Sequence, residues 1–211
     1  MERFVLQTTS DEILSIFGVT PNSVSMLEAS FNAAPGYLLP AIFVENGHRK
    51  IESSIWNPVQ PTIDIADFLR QENAQDQLLK NSCIIPISGF YLWKQTVKDP
   101  LPFYVRIHSR NVLGIPGYFS AISETRKLFT VFTRPAGVLL KPLDHTMPCI
   151  LESNEFDPWL NQDAESIATA GFSTNEMIPD MTVFRVPNLV NDLSNNSPEL
   201  IQPIPKLREE D

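Results

Sequence analysis

The chain has 211 residues, 43% of them hydrophobic and 19% charged, and a net charge of −9. That size and apolar fraction suit one globular domain with a real core. The acidic balance argues against strong non-specific binding to a polyanion, which needs a dense basic face, and leaves room only for a small local basic groove.

No apolar run approaches the roughly 20 residues that cross a bilayer. The opening Met1-Glu2-Arg3-Phe4 lacks a basic-then-apolar leader pattern. A cytoplasmic monomer is therefore expected. Cys83 and Cys149 give neither a disulfide framework nor a metal spacing, and they read as reduced thiols packed as small hydrophobes. There is no glycine-rich phosphate loop, no His-Glu-x-x-His and no Cys-x-x-Cys. No metal or cofactor is expected.

In chain order, Thr9-Ser10-Asp11-Glu12 is a capping-box pattern. Ile13, Leu14, Ile16 and Phe17 then give one apolar helical face, and Gly18 can end the helix. Asn46-Gly47 predicts a hairpin turn, with His48-Arg49-Lys50 exposed beside it. Residues 64–81 read as one helix with Ile65, Phe68, Leu69, Leu78 and Leu79 inward. The stretches Cys83–Lys94, Leu101–Ile107, Val112–Ala121 and Leu128–Thr133 are rich in β-branched and aromatic residues and read as strands. Phe156–Ala170 reads as a helix and Met181–Val186 as a late strand. A domain over residues 1–202 and a solvated tail over 203–211 are expected. Strands dominate without regular β-α alternation, so the fold class is α+β.

A series of segments, taken in order, resembles one known family. Met1–Phe4 resembles an opening Met-Cys-Gly-Arg-Phe. Phe31-Asn32-Ala33-Ala34-Pro35-Gly36 resembles a Tyr-Asn-Ile-Ala-Pro turn. Ile51–Trp56 resembles a strand leading to Arg-Trp-Gly, and Thr62–Asp67 stands in the place of Asn-Ala-Arg-x-Glu-Thr. Cys83–Lys94 resembles Cys-Leu-Val-Pro-Ala-x-Gly-Phe-Tyr-Glu-Trp-Lys. Phe129–Leu151 resembles Phe-Thr-Ile-x-Thr followed by His-x-Arg-Met-Pro-x-Ile-Leu. Val186–Ile201 resembles Val-Ser-x-x-Val-Asn-x-x-x-Asn-Asp-x-Pro-Glu-Leu-Ile. The pattern is that of the SOS response-associated peptidase (SRAP) family. The resemblance implies a curved, barrel-like, mostly antiparallel β core with flanking helices and a groove for single-stranded DNA.

Members of that family use an N-terminal cysteine, exposed when the first methionine is removed. Its α-amine and thiol attack the aldehyde of an abasic sugar and close a thiazolidine, a DNA–protein crosslink. An asparagine, a glutamate and a histidine assist. Counting back from Arg3 puts Met1 on the cysteine, so an α-amine remains and the thiol becomes a thioether, which cannot close the ring. Leu92 stands on the glutamate and can move no proton. Thr62 falls on the asparagine and Asp144 on the histidine. His145 is shifted by one, which turns its ring to the other face of a strand unless a bulge restores it.

Positions of the implied DNA groove fall on Arg3, Asn32, Trp56 and Thr133. Family arginines are replaced by Ile55, Asp64 and Thr146, which should weaken phosphate contacts. Trp56, Phe90, Tyr91 and Trp93 offer aromatic faces for stacking or for core packing. The resemblance thus implies a catalytically degenerate member, a pseudoenzyme of the abasic-site DNA-damage class. Weak single-stranded DNA binding and an unidentified protein partner are its expected associations. Two alternatives stand beside it. One is Schiff-base chemistry by the Met1 α-amine on abasic DNA; the other is a protein-binding module built on an apolar pocket around Leu92.

Overall fold

The computed structural model describes residues 3–20, 28–123, 126–161, 168 and 180–204. Strand β1 (Phe4–Leu6) leads into helix α1 (Ser10–Phe17). The Thr9 side chain accepts the Glu12 N–H at the helix start. Gly18 closes it in the left-handed conformation at φ 60°, donating to the Leu14 carbonyl, which is the glycine-capped end the sequence predicts. Ile13 and Phe17 are buried, whereas Ile16, expected inside, is 39% exposed.

Strands β2 (Ser30–Ala33), β3 (Leu38–Glu45) and β4 (His48–Trp56) follow. β3 and β4 form the predicted hairpin. Asn46 and Gly47 both have positive φ, as a tight two-residue turn requires, and Glu45 faces His48. The helix expected over 64–81 is interrupted. Strand β5 (Thr62–Asp64) precedes α2 (Ile65–Leu69), and α3 (Ala74–Asn81) starts anew. The Asp64 carboxylate accepts the N–H groups of Ala66 and Asp67 and starts α2. The break between the helices turns Leu79 outward, to 49% exposure.

The long strand expected over Cys83–Lys94 divides at Ser88 into β6 (Ser82–Ile87) and β7 (Gly89–Lys94). β8 (Leu101–Ile107) has its expected bounds. β9 (Leu113–Ser123), β10 (Arg126–Pro135) and β11 (Thr146–Pro148) come next. Helix α4 covers Phe156–Leu160 and β12 covers Met181–Arg185. Of the helix expected to Ala170, residues 162–167 and 169–170 lie outside the described residues, as do 205–211 of the expected tail.

Two sheets result. One has the order β12-β8-β7-β1-β2, every pairing antiparallel. The other runs β11-β10-β4-β3-β6-β9, and β9 pairs back onto β10. That last pairing closes a ring of β10, β4, β3, β6 and β9, which is the curved, barrel-like core expected for the fold. Only the pairings of β10 with β4 and β5 are parallel among the described strands.

Strand alternation sorts the core. Leu39, Ala41, Phe43, Ile85, Ile115, Phe129 and Val131 join Phe4, Phe90, Leu92 and Val105 of the other sheet in one interior. The intervening Ile42, Ile84 and Phe132 pack instead with Ile13, Phe17, Phe68, Leu78 and Trp159 of the helices. A third cluster covers the far face of the five-stranded sheet, with Val5, Tyr91 and Tyr104 under Val186, Val190 and Leu200. Gly89 is required where β8 crosses β7: a Cβ there would lie 2.5 Å from the Val105 carbonyl oxygen and the Tyr104 hydroxyl. No helix among the described residues is long and apolar enough to cross a membrane.

Candidate functional site

The site is best built outward from Arg3. The antiparallel register sets Phe4 opposite Phe90, and the Tyr91 N–H donates to the Arg3 carbonyl at 3.1 Å. The chain entering β1 is thereby fixed along β7. The Arg3 Nε donates to the Asn32 side-chain carbonyl at 3.1 Å, and its guanidinium stands 5.9 Å from the centre of the Trp93 ring. Asn32 is buried, and its amide nitrogen faces the carbonyls of Val190, Asp192 and Asn195 at 3.1, 3.0 and 3.2 Å. One amide therefore ties a strand, a loop 160 residues later in the chain, and an arginine. The Trp93 indole N–H donates to Asn191 at 2.8 Å, closing the arrangement on the other side. The Asp192 carboxyl is held below its usual range by the Ser194 N–H and then its hydroxyl, which shapes the same loop.

The loop contacts of Asn32 and Trp93 were not foreseen from the sequence. A signal was available: Asn32 is a polar amide between Phe31 and Ala33 in a short apolar strand, where burial demands partners.

The aromatic residues divide sharply. Trp56 is fully buried, with Phe4 stacked on it at 4.4 Å between ring centres and Phe129 nearly parallel at 6.3 Å. Its indole N–H donates to the Pro61 carbonyl at 2.9 Å. Trp56 is thus packed against two rings of the protein and shows no exposed face. Phe90 and Tyr91 are also fully buried. The Tyr91 hydroxyl donates to the Phe31 carbonyl at 2.8 Å, and burial pushes its pKa well above the ordinary phenol value. Trp93 alone of this set keeps part of its ring exposed.

The positions matched to the family's catalytic residues are spread over both sheets. Met1 lies outside the described residues. Leu92 is fully buried among Phe4, Trp56, Phe90 and Val105. Thr62 begins β5, half-buried, opposite Val131 of β10. Thr133 is buried on β10 between Asp64 and Pro148. Asp64 is committed to capping α2. Asp144 accepts the Thr146 N–H and hydroxyl at 3.1 and 3.3 Å, forming the turn into β11. His145 is exposed, and its carbonyl accepts the Ala136 N–H at 2.9 Å. Thr62, Thr133 and the Asp144–Thr146 turn therefore gather along β5, β10 and β11. Arg3, Asn32 and Trp93 gather on the other sheet.

Chemically, the Arg3 side is suited to holding: a guanidinium beside an indole face can take a phosphate and a base. A buried leucine at position 92 transfers no proton. Burial pushes the pKa of both cysteine thiols upward, away from thiolate chemistry. Among the described residues, no group of three or more His, Cys, Asp or Glu side chains is placed to hold a metal ion.

Comparison with known proteins agrees with the fold and the motifs. The family model described as SOS response associated peptidase (SRAP) matches residues 2–193. The abasic site processing protein YoqW of Bacillus subtilis is 25% identical over 219 residues, covering 95% of this chain and 98% of that protein. The abasic site processing protein YoaM of the same bacterium is 25% identical over 221 residues, covering 94% and 96%. A crystal structure of a protein from Bacteroides thetaiotaomicron superposes with a TM-score of 0.80 at 16% identity, covering 97% of this chain and all of that one. A phage-related protein from Bordetella bronchiseptica gives a TM-score of 0.69 at 16% identity, covering 88% and 94%. The match over nearly the whole length, with the motifs in order along it, establishes that this chain belongs to the SRAP family.

Proposed function

We propose that this chain is a SRAP protein that has given up crosslinking and keeps the scaffold as a weak holder of single-stranded DNA. The observation that carries the reading is the burial of Leu92, at 0% exposure, where the family motif has a glutamate. A leucine side chain buried in an apolar cluster with Phe4, Trp56 and Phe90 neither donates nor accepts a proton. The remaining substitutions agree with this. Thr62 and Asp144 replace an amide and an imidazole, and Asp64 serves its own helix. DNA is held through Arg3, fixed by Asn32, with Trp93 beside it. The net charge of −9 keeps that binding weak.

The test uses single-stranded DNA carrying one abasic site, incubated with this protein and with an active family member in parallel. Denaturing electrophoresis should show a heat-stable adduct only for the active protein. An adduct of comparable yield from this chain refutes the loss of catalysis. Fluorescence anisotropy with the same DNA at low salt should give a weak signal that falls steeply as salt rises. Binding that ignores salt would remove DNA from the reading.

A further inference from the structure

The end of the five-stranded sheet remote from Leu92 and Trp93 carries a cluster that the proposed function does not use. β8 runs from Leu101–Phe103, beside Leu92–Lys94, to Arg106 and Ile107 at its far end. There a cavity of about 150 Å³ is lined by Thr8, Glu12, Ser88, Arg106, His108 and Arg110 among others. Ser88, just before β7, is four residues from Leu92, which at the usual rise of a strand is about 13 Å.

Arg106 differs from the other arginines described in detail. Arg3, Arg49, Arg70 and Arg110 donate to Asn32, Asp157, Asp67 and Glu152. The Arg106 Nε is shut off from solvent and has no hydrogen-bond partner. Its guanidinium stands 6.0 Å from the centre of the Phe184 ring. Arg106 as a whole is half-buried and lines the cavity, and the planar fork of guanidinium N–H groups matches an oxyanion. His108 follows β8 directly and lines the same cavity. The Ser88 hydroxyl, which accepts the Gln7 N–H at 3.0 Å, still has its own proton to give.

We propose that this cavity binds a small oxyanion of the phosphate class, with Arg106 as the anchoring cation and His108 and Ser88 as further donors. The volume suits an ion of that size and is below the span usual for drug-sized ligands. Glu12 selects phosphate over a plain carboxylate. Its carboxylate lines the cavity and is held by Thr8 and Asn111. A phosphate that keeps one P–OH can donate to it, whereas a carboxylate only repels it. Free phosphate and the phosphate end of an ester share this chemistry.

The experiment titrates inorganic phosphate into the whole chain at constant ionic strength, with chloride as the balancing ion. Amide NMR shifts and the thermal midpoint are followed together. Saturable shifts confined to Thr8, Ser88 and Arg106–Asn111, with a rise in Tm, support the site. Arg106→Met should lose both responses while folding normally without phosphate, and Arg106→Gln serves if the methionine variant does not fold. Glycerol phosphate that matches inorganic phosphate assigns the site to an ester; glycerol phosphate that fails to bind assigns it to the free ion. Absence of saturable shifts in the wild-type chain, an equal response in the Arg106 variant, or equal binding of acetate overturns the proposal. None of these readouts involves abasic DNA, so they stand or fall apart from the proposed function.

Discussion

Replacing Asn32 with alanine should cost far more than one exposed amide is worth. Its side-chain carbonyl accepts a charged donor, the Arg3 Nε, and hydrogen bonds to charged groups are worth about 1.5–3 kcal/mol. Its amide nitrogen has two protons shared among three carbonyls at 3.0–3.2 Å. Two net bonds there add about 1 kcal/mol each. The total is roughly 3–5 kcal/mol. With a urea slope of about 1–3 kcal/mol per molar, the midpoint should fall by at least about 1 M. Equilibrium urea denaturation followed by tryptophan fluorescence gives the number. A loss below about 1 kcal/mol would refute the reasoning, because it would mean the loop carbonyls find other donors at no cost. Asn32→Asp gives the complementary check. It strengthens the pair with Arg3 but sets an anion against three carbonyl oxygens, so it should also destabilise. An aspartate variant as stable as wild type would mean that the three loop carbonyls do not depend on the Asn32 amide.

Leu92→Glu places an unpaired carboxylate in a dry interior, so it should lower stability by several kcal/mol and leave crosslinking absent; denaturation and the abasic-DNA gel check both parts. Cys83 and Cys149 are buried and free, with burial raising both thiol pKa values. Neither should react with a thiol-specific reagent at neutral pH until urea unfolds the chain, and rapid native labelling would contradict this. The Glu12 pKa is lowered chiefly by the Thr8 hydroxyl and then by Asn111. Its stabilising contribution is therefore complete above the ordinary carboxylate pKa and fades as pH falls through the depressed folded value. Glu12→Gln should shrink the acid-side decline in Tm, and an unchanged acid limb would count against it.

How much could be read in advance depended on whether the signal was local. The α1 ends at Thr9 and Gly18, the Asn46-Gly47 turn and β8 all rest on neighbouring residues and emerged where the sequence placed them. The interruption of the 64–81 helix was hidden because Arg70-Gln71-Glu72-Asn73 contains neither glycine nor proline. The division at Ser88 was hidden because both halves are apolar strand, and only the passage of Tyr104 and Val105 against Gly89 separates them. Family motifs located Arg3, Asn32 and Leu92 along the chain. They could not say that Trp56 packs against the rings of Phe4 and Phe129 or that Asn32 reaches three carbonyls beyond residue 189. Those facts depend on contacts between residues far apart in the chain, to which periodicity is blind.

The closed ring has a consequence for solubility. Each of its five strands has a partner on both sides, whereas the other sheet ends in two short outer strands, β2 and β12, of the kind that recruit foreign chains. Both are guarded by the same late stretch of polypeptide. The Phe31 N–H of β2 donates to the Asn196 side chain at 2.6 Å, and the Arg185 carbonyl of β12 accepts the Ile204 N–H at 3.0 Å. Residues 186–204 thus act as a clasp across two strand edges at once. Cutting the chain after Arg185 would bare both edges together with Val5, Tyr91 and Tyr104, and such a product should self-associate into sheet-rich aggregates.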